Sequence, residues 1–388
     1  MRLNKYLIVL GDGMADEPLP ELEGKTPLEA AHTPNMDKIA REGAMGLLKT
    51  VPDGFQPGSD IANLSVLGYD PRTCYTGRGA LEAGSMGIDL SPDDMAYRCN
   101  LVTITEGIME DFSASHISSA EGAALLATLN GRLNGAVCYP GVSYRNLLLI
   151  PRGEGTLSTA PHDIVGQKIA SYIPTGPDEQ LLARCMEIAK KVFALHPVNL
   201  DRIAAGKLPA TDIWPWSSGK KPSIPLFSDR WGVTGGMISA VDLLNGIARY
   251  AGMEIIRVPG ATGFLDTDYS AKARYAIEAL KRLDFIYLHV EAPDEAGHMG
   301  NLEEKITAIE RVDLMIGTIM GEFTGKIAVL PDHPTPIRIK THTADPVPFA
   351  IFGGVKDATT RFSEAEGAHG LYGIREGIEL VPLLFSRG

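Results

Sequence analysis

The stretch FIYLHVEAPDEAGH, residues 285–298, carries a mostly apolar run into Glu291, Pro293 and Asp294 and reaches His298 four positions after Asp294. An apolar run of strand length, closed by acids and a proline, describes a strand buried on both faces, as parallel sheets require. The pattern recurs twice: YLIVL (6–10) runs into Gly11-Asp12, and AVL (328–330) runs into Pro331-Asp332-His333. Ligands of open α/β sheets bind outside the carboxyl ends of the strands, so three such runs would bring their acids to one edge.

Working outward, apolar runs alternate with helical patterns: TPNMDKIAREG (33–43), AVDLLNGIARYAG (240–252), IIRVP, AKARYAIEALKRL (271–283), a helix near 302–322, and VPFAIFG. The rhythm predicts βα units on a mostly parallel sheet flanked by helices, an α/β fold. Residues 93–230 read differently, with strand-like YRCNLVTI (97–104) and SYRNLLLI (143–150) among helical SAEGAALLATLNGRL (119–133) and PDEQLLARCMEIAKKVF (177–193). We expect them to form a smaller inserted α+β domain, a substrate-binding or lid unit, inside a discontinuous catalytic domain of 1–92 plus 231–388. LPATDIWPWSSGKKPSIP (208–225) is expected to be an irregular packed connection, with a substrate-covering loop as the alternative.

The formal charge is 36 − 48 = −12 and no basic block stands out, which argues against a nucleic-acid partner. The run Tyr6–Leu10 is too short for a signal-peptide core or a membrane span, so a cytoplasmic protein with no membrane partner is expected. Cys74, Cys99, Cys138 and Cys185 form no CxxC pair, so neither a thiolate zinc site nor a disulfide framework is indicated.

Asp294 and His298, one helical turn apart, would face the same way and could grip one cation. That spacing alone is common on helix surfaces. Joined with Asp12, Asp332, His333 and His342 it gives a mixed carboxylate and imidazole set without thiolate, which suits Mn2+ or Zn2+, and Mg2+ less well beside three histidines. Six such side chains exceed what one ion needs, so two divalent metals are expected. Ser59, after Pro57-Gly58 and before a helical pattern, is either a plain helix cap or a nucleophile that a metal activates; the metal set favours the nucleophile. Gly11-Asp12-Gly13 fails as a dinucleotide fingerprint because Asp16 stands at the third glycine position, and Gly24-Lys25-Thr26 fails as a P-loop because Leu19 replaces its first glycine.

Together LIVLGDGMAD, GKTPLEAAHTPNMDKIAREG, PGSDIANLSVLGYDP, YTGRGALEAGSMGI, VEAPDEAGH, LPDH and THTADPVPF resemble the alkaline phosphatase superfamily. Within it the likeness is to the short, archaeal-type cofactor-independent phosphoglycerate mutases. The resemblance implies an alkaline-phosphatase-like sheet, one metal on Asp12, Ser59, Asp332 and His333, the other on Asp294, His298 and His342, and transient phosphorylation of Ser59. It implies a glycolytic isomerase acting on a small phosphorylated substrate, phosphoglycerate. Arg78 and Arg145 are candidate grips for that substrate, with His162 and Asp163 as proton carriers. Longer members carry a histidine four residues after the serine, where this chain has Asn63, and their glycerate-handling residues have no clear counterparts in the insert. A related subgroup, proposed to be homoserine kinases using ATP on the same centre, is the alternative.

Overall fold

The computed structural model describes residues 5–386, and the chain forms two compact units: Met1–Tyr75 with Ser223–Gly388, and Thr76–Pro222. The first unit opens with β1 (Tyr6–Gly11) and β2 (Ala44–Lys49). The second holds β3 (Met95–Thr105), β4 (Ile108–Asp111), β5 (Val137–Val142), β6 (Arg145–Ile150) and β7 (Asp212–Lys220). The first is completed by β8 (Gly235–Ile238), β9 (Glu254–Ile255), β10 (Phe285–Val290), β11 (Lys326–Leu330), β12 (Val347–Phe352) and β13 (Ile374–Glu376).

The sheet of the first unit has the order β13-β2-β12-β11-β1-β10-β8-β9. β1 runs parallel to both β10 and β11, β10 to β8, and β8 to β9, while β12 is antiparallel to β11 and β2. The mostly parallel sheet is therefore as expected, with β12 as the reversed strand. Registers Gly11↔Val290 and Leu10↔Leu330 make the three acid-tipped strands end level, so Asp12, Glu291 and Asp332 leave the sheet at one edge. β1, β10 and β11 are buried along their whole length, which is why their sequences read as continuous apolar runs.

One face of these strands, with Leu7, Val9, Ile286, Leu288, Val290, Ile327 and Val329, packs on Met36, Ile39, Ala273, Ala276, Ile309, Val312 and Ile316 of three helices, Pro34–Glu42, Tyr269–Leu280 and Leu302–Glu322. Buried Asp313 locks two of these helices together, its Oδ1 accepting the Asn35 and Met36 amides at 3.0 and 2.7 Å and so satisfying donors at a helix start.

In the second unit all pairings are antiparallel: β3 with β4, β6 and β7, and β5 with β6. The unit begins before residue 93 because the helix Arg78–Ser85 seats Ala80 and Ala83 on Ala96, Leu147 and Leu149 of its sheet. It ends before 230 because Phe227 stacks on Phe285 of β10, centroids 4.8 Å apart, within the first unit. The expected irregular connection at 208–225 is instead largely the strand β7, with Trp214 and Trp216 in the core of the second unit. Pro215 is tolerated because β7 pairs only with β3.

Candidate metal centre and nucleophile

After β10 the chain turns at once into the helix Ala292–Met299, with Pro293 in its first turn. Asp294 and His298 consequently share a face, with His298 Nε2 3.2 Å from Asp294 Oδ2. His342 reaches the same carboxylate, its Nε2 3.4 Å from Asp294 Oδ1 and 3.0 Å from His298 Nε2. His298 Nδ1 lies 3.0 Å from the Lys340 carbonyl, which can only accept, so this nitrogen carries a proton and Nε2 is the one turned toward Asp294 and His342.

A second group adjoins the first. His333 Nε2 lies 3.5 Å from Asp12 Oδ1, 3.5 Å from Asp332 Oδ2 and 3.2 Å from Ser59 Oγ. Thr335 gives its hydroxyl proton to Asp294 Oδ1 at 2.5 Å and therefore accepts from His333 Nδ1 at 3.3 Å, so His333 also points an Nε2 lone pair at its oxygen neighbours. Asp12, Asp332 and His333 are fully buried, and Asp12 Oδ1 has no hydrogen-bond partner among the described residues.

Such a surplus of buried lone pairs and carboxylates fits a cation and little else. Burial pushes Asp12 well above the usual carboxylate range, and the neighbouring Asp332, Asp294 and Glu291 push it further. Burial, with the charges of Asp294, Glu295 and Asp332, lifts Glu291 to about 8. For Asp294 burial acts upward too, but hydrogen bonds from His298 and His342 outweigh it and hold the carboxyl well below its ordinary value. His298 rises in turn to about 9, chiefly through its bond to Asp294. Three overlapping sets, Asp294/His298/His342, Asp12/Asp294/His333 and Asp12/His289/Asp332, each bring ligand atoms within 4.8 Å of one another.

Ser59 is the first residue of the helix Ser59–Val66. Asn63, one turn later, donates its amide to the Ser59 carbonyl and to Asp332 Oδ2, both at 2.8 Å, and accepts the Tyr287 hydroxyl at 2.5 Å. The seven residues expected at the metal centre thus converge in the first unit.

The four expected substrate residues fall in the second unit, where they gather around Arg98. Arg98 lies over Trp216 at 4.1 Å and pairs with Glu82 at 2.8 Å; burial lowers its pKa, Glu82 raises it, and the cations Arg78 and Arg145 lower it further. His162 sits edge-on to Trp216, centroids 5.4 Å apart, with Asp163 3.7 Å away, and burial holds it in the neutral form. Sequence reasoning missed Arg98, Tyr287 and His289. The last two had a signal: polar-capable side chains two apart in an otherwise apolar strand share one face.

A mostly parallel sheet of this order, with carboxylates and imidazoles converging beside a helix-start serine, defines an α/β protein with a candidate metal-dependent site at the carboxyl ends of its strands. A profile described as 2,3-bisphosphoglycerate-independent phosphoglycerate mutase matches residues 40–199. The mutase of that name from Methanothrix thermoacetophila is 50% identical over 390 residues, covering 98% of this chain and all of that protein. A probable mutase from Geobacter sulfurreducens is 48% identical over 99% of this chain and all of its own. Among solved structures, a Pyrococcus horikoshii protein superposes with a TM-score of 0.85 at 34% identity, covering 99% and 97% of the two chains. The cofactor-independent phosphoglycerate mutase of Thermoplasma acidophilum gives 0.69 at 25%, covering 98% of each. The chain belongs to the 2,3-bisphosphoglycerate-independent phosphoglycerate mutase family.

Proposed function

We propose that the protein interconverts 3-phosphoglycerate and 2-phosphoglycerate without a bisphosphate primer, as a cytoplasmic enzyme. The observation that carries this reading is full-length identity near 50% to mutases of that name, joined to a serine set among carboxylates and imidazoles. Asp12, Ser59, Asp332 and His333 would hold one divalent ion, and Asp294, His298 and His342 the other, with Mn2+ or Zn2+ suited to the mixed donors and Mg2+ less so. Bound there, the ions supply electrostatic stabilisation of a transferring phosphoryl group and ease loss of the serine proton.

The chain's own steps are two displacements at phosphorus. Ser59 Oγ forms a bond to phosphorus as the bond to the C3 oxygen breaks, and that oxygen takes up a proton. The C2 hydroxyl then attacks the phosphoserine, loses its proton, and releases Ser59. Arg78 and Arg145 would hold the carboxylate and phosphate, and His162 with Asp163 would carry the proton between the two oxygens, which makes the inserted unit the substrate-binding part. Burial lowers the His162 pKa, so a proton taken up there would be readily passed on.

The test is an enolase-coupled assay of the metal-loaded protein with 3-phosphoglycerate alone. Product formation that Ser59→Ala abolishes supports the reading; no product, or unchanged rates in Ser59→Ala, overturns it. A parallel arm with ATP and homoserine tests the kinase alternative, and free phosphate release tests a phosphatase.

A further inference from the structure

We infer that Tyr287 and His289, two residues apart on one face of β10, are positioning residues that aim Asp332 and Asp12 at the Ser59 side of the metal centre. The inference rests on the ligand assignment given above. β10 turns Ile286, Leu288 and Val290 into the apolar core, so alternation turns Tyr287 and His289 the other way; both are fully buried.

His289 Nε2 lies 3.0 Å from Asp12 Oδ2, and its Nδ1 lies 3.3 Å from Ser239 Oγ. An ionised Asp12 carboxylate accepts only, so Nε2 carries the proton, and Ser239 Oγ, which accepts the Val241 amide at 3.0 Å, gives its own to Nδ1. His289 is then an Nε2–H donor to Asp12. This differs from His298 and His333, whose Nδ1 protons are engaged by oxygens outside the centre and whose Nε2 atoms are the ones that face it. Although Asp12, His289 and Asp332 are close enough to hold a cation together, the hydrogen pattern makes His289 a donor to a ligand and not a ligand. By occupying Oδ2, it leaves Oδ1, the oxygen without a hydrogen-bond partner, for the ion. The strand is itself fixed at this point, since the buried Lys272 ammonium bonds the His289 carbonyl at 2.9 Å.

Tyr287 works one step further out. Its hydroxyl donates to Asn63 Oδ1 and braces the amide from the side away from the nucleophile's carbonyl. Asp332 Oδ2 and the Ser59 carbonyl accept only, so Asn63 Nδ2 donates to both and its oxygen faces the phenol. One phenol hydroxyl thereby holds in place the amide that bonds both a candidate metal ligand and the nucleophile's backbone.

The test is Mn2+ titration of the metal-free full-length protein by calorimetry, with thermal melts of the same samples. In a His342→Ala background, which leaves only the Ser59-side site, His289→Leu and Tyr287→Phe are expected to weaken Mn2+ binding about 10- to 100-fold. In a His333→Ala background, which leaves only the Asp294 site, the same changes should alter binding less than about 3-fold. His289→Gln, whose amide can still donate to Asp12, should stay within about 5-fold of the parent, a rescue that a merely structural role would not give. Equal weakening in both backgrounds, no weakening in either, or a third Mn2+ equivalent in the wild type that His289→Leu removes, would each overturn the inference. If His333→Ala and His342→Ala each keep two equivalents, the ligand assignment fails and the inference falls with it. If each loses one while the β10 variants bind as the parent does, the inference alone fails. Tyr287→Phe keeps the ring and His289→Gln a similar size, so the comparison survives if His289→Leu does not fold.

Discussion

Gly13→Ala would strike the point where both ligand groups are tied together. Gly13 has φ +61°, in the left-handed region, and its amide donates to Asp332 Oδ1 at 3.2 Å. A Cβ there would lie 2.6 Å from Asp294 Oδ1, 2.7 Å from Thr335 Oγ and 2.8 Å from Asp294 Cα. Holding alanine in this conformation costs roughly 1–2 kcal/mol, and forcing a methyl into filled space costs roughly 1–3 kcal/mol more. The sum of about 2–5 kcal/mol is survivable for a protein of ordinary stability, about 5–15 kcal/mol. The damage should concentrate at the site, because the Thr335 hydroxyl that must move bonds both Asp294 and His333. We expect urea denaturation of the metal-free variant to report that loss, and metal titration to report at least ~10-fold weaker binding at both sites, equal to about 1.4 kcal/mol each. If Gly13→Ala matches the wild type in both assays, the space assigned to the ligands is wrong.

Three further outcomes are expected. The His298–Asp294 bond raises the His298 pKa to about 9, so its stabilisation of the metal-free protein is complete below about 6.5 and is lost as pH rises through 9. Metal must displace the same proton, so calorimetry in buffers of different ionisation enthalpy at pH 7.5 should detect about one proton released on filling that site; no release would refute the pairing. Burial raises Glu364 from its ordinary 4.5 to about 7, so the wild type should lose roughly 1–3 kcal/mol relative to Glu364→Gln as pH rises from 4.5 to 7, with a constant difference above; parallel denaturation curves at pH 4.5 and 8 check this. Lys305→Met leaves Asp16 buried without the ammonium that now lies 2.7 Å away, and should lower unfolding free energy by about 3–5 kcal/mol in a urea titration.

The convergence of the candidate metal ligands was legible because its physics is local: a strand buried on both faces must stop where the chain turns charged, and three strands stopped on acids. Register alone then levelled Asp12, Glu291 and Asp332 at one edge. Tyr287 and His289 escaped notice because one phenol and one imidazole barely interrupt an apolar run, and only the pairing of β10 with β1 reveals what their face meets. The segment 212–220 was misjudged because proline, serines and glycine outweighed its two tryptophans, whereas an edge strand tolerates all three. The start of the insert was placed too late because GRGALEAGS carries no sign of which sheet its alanines cover; that is settled by Ala96 and Leu147, distant in sequence.

The distribution of buried cations explains how such a centre can fold before metal arrives. Asp12, Asp294, Asp332 and Glu291 face one another away from water, an arrangement that costs several kcal/mol per uncompensated charge. The chain supplies partial compensation from two fully buried lysines: Lys272, whose charge is felt at Glu291, and Lys305, which bonds Asp16 and the Ala15 and Thr335 carbonyls and acts electrostatically on Asp294. Neither ammonium hydrogen-bonds a candidate metal ligand's side chain; both grip the backbone that carries the ligands. An ammonium on a ligand carboxylate would compete with the metal, whereas one on a neighbouring carbonyl lowers the field and fixes the frame without occupying a donor. Burial and mutual repulsion raise the pKa values of Asp12 and Glu291, so a cation bound among these carboxylates would offset the same repulsion. Folding and metal loading would thereby be linked through one group of strand ends.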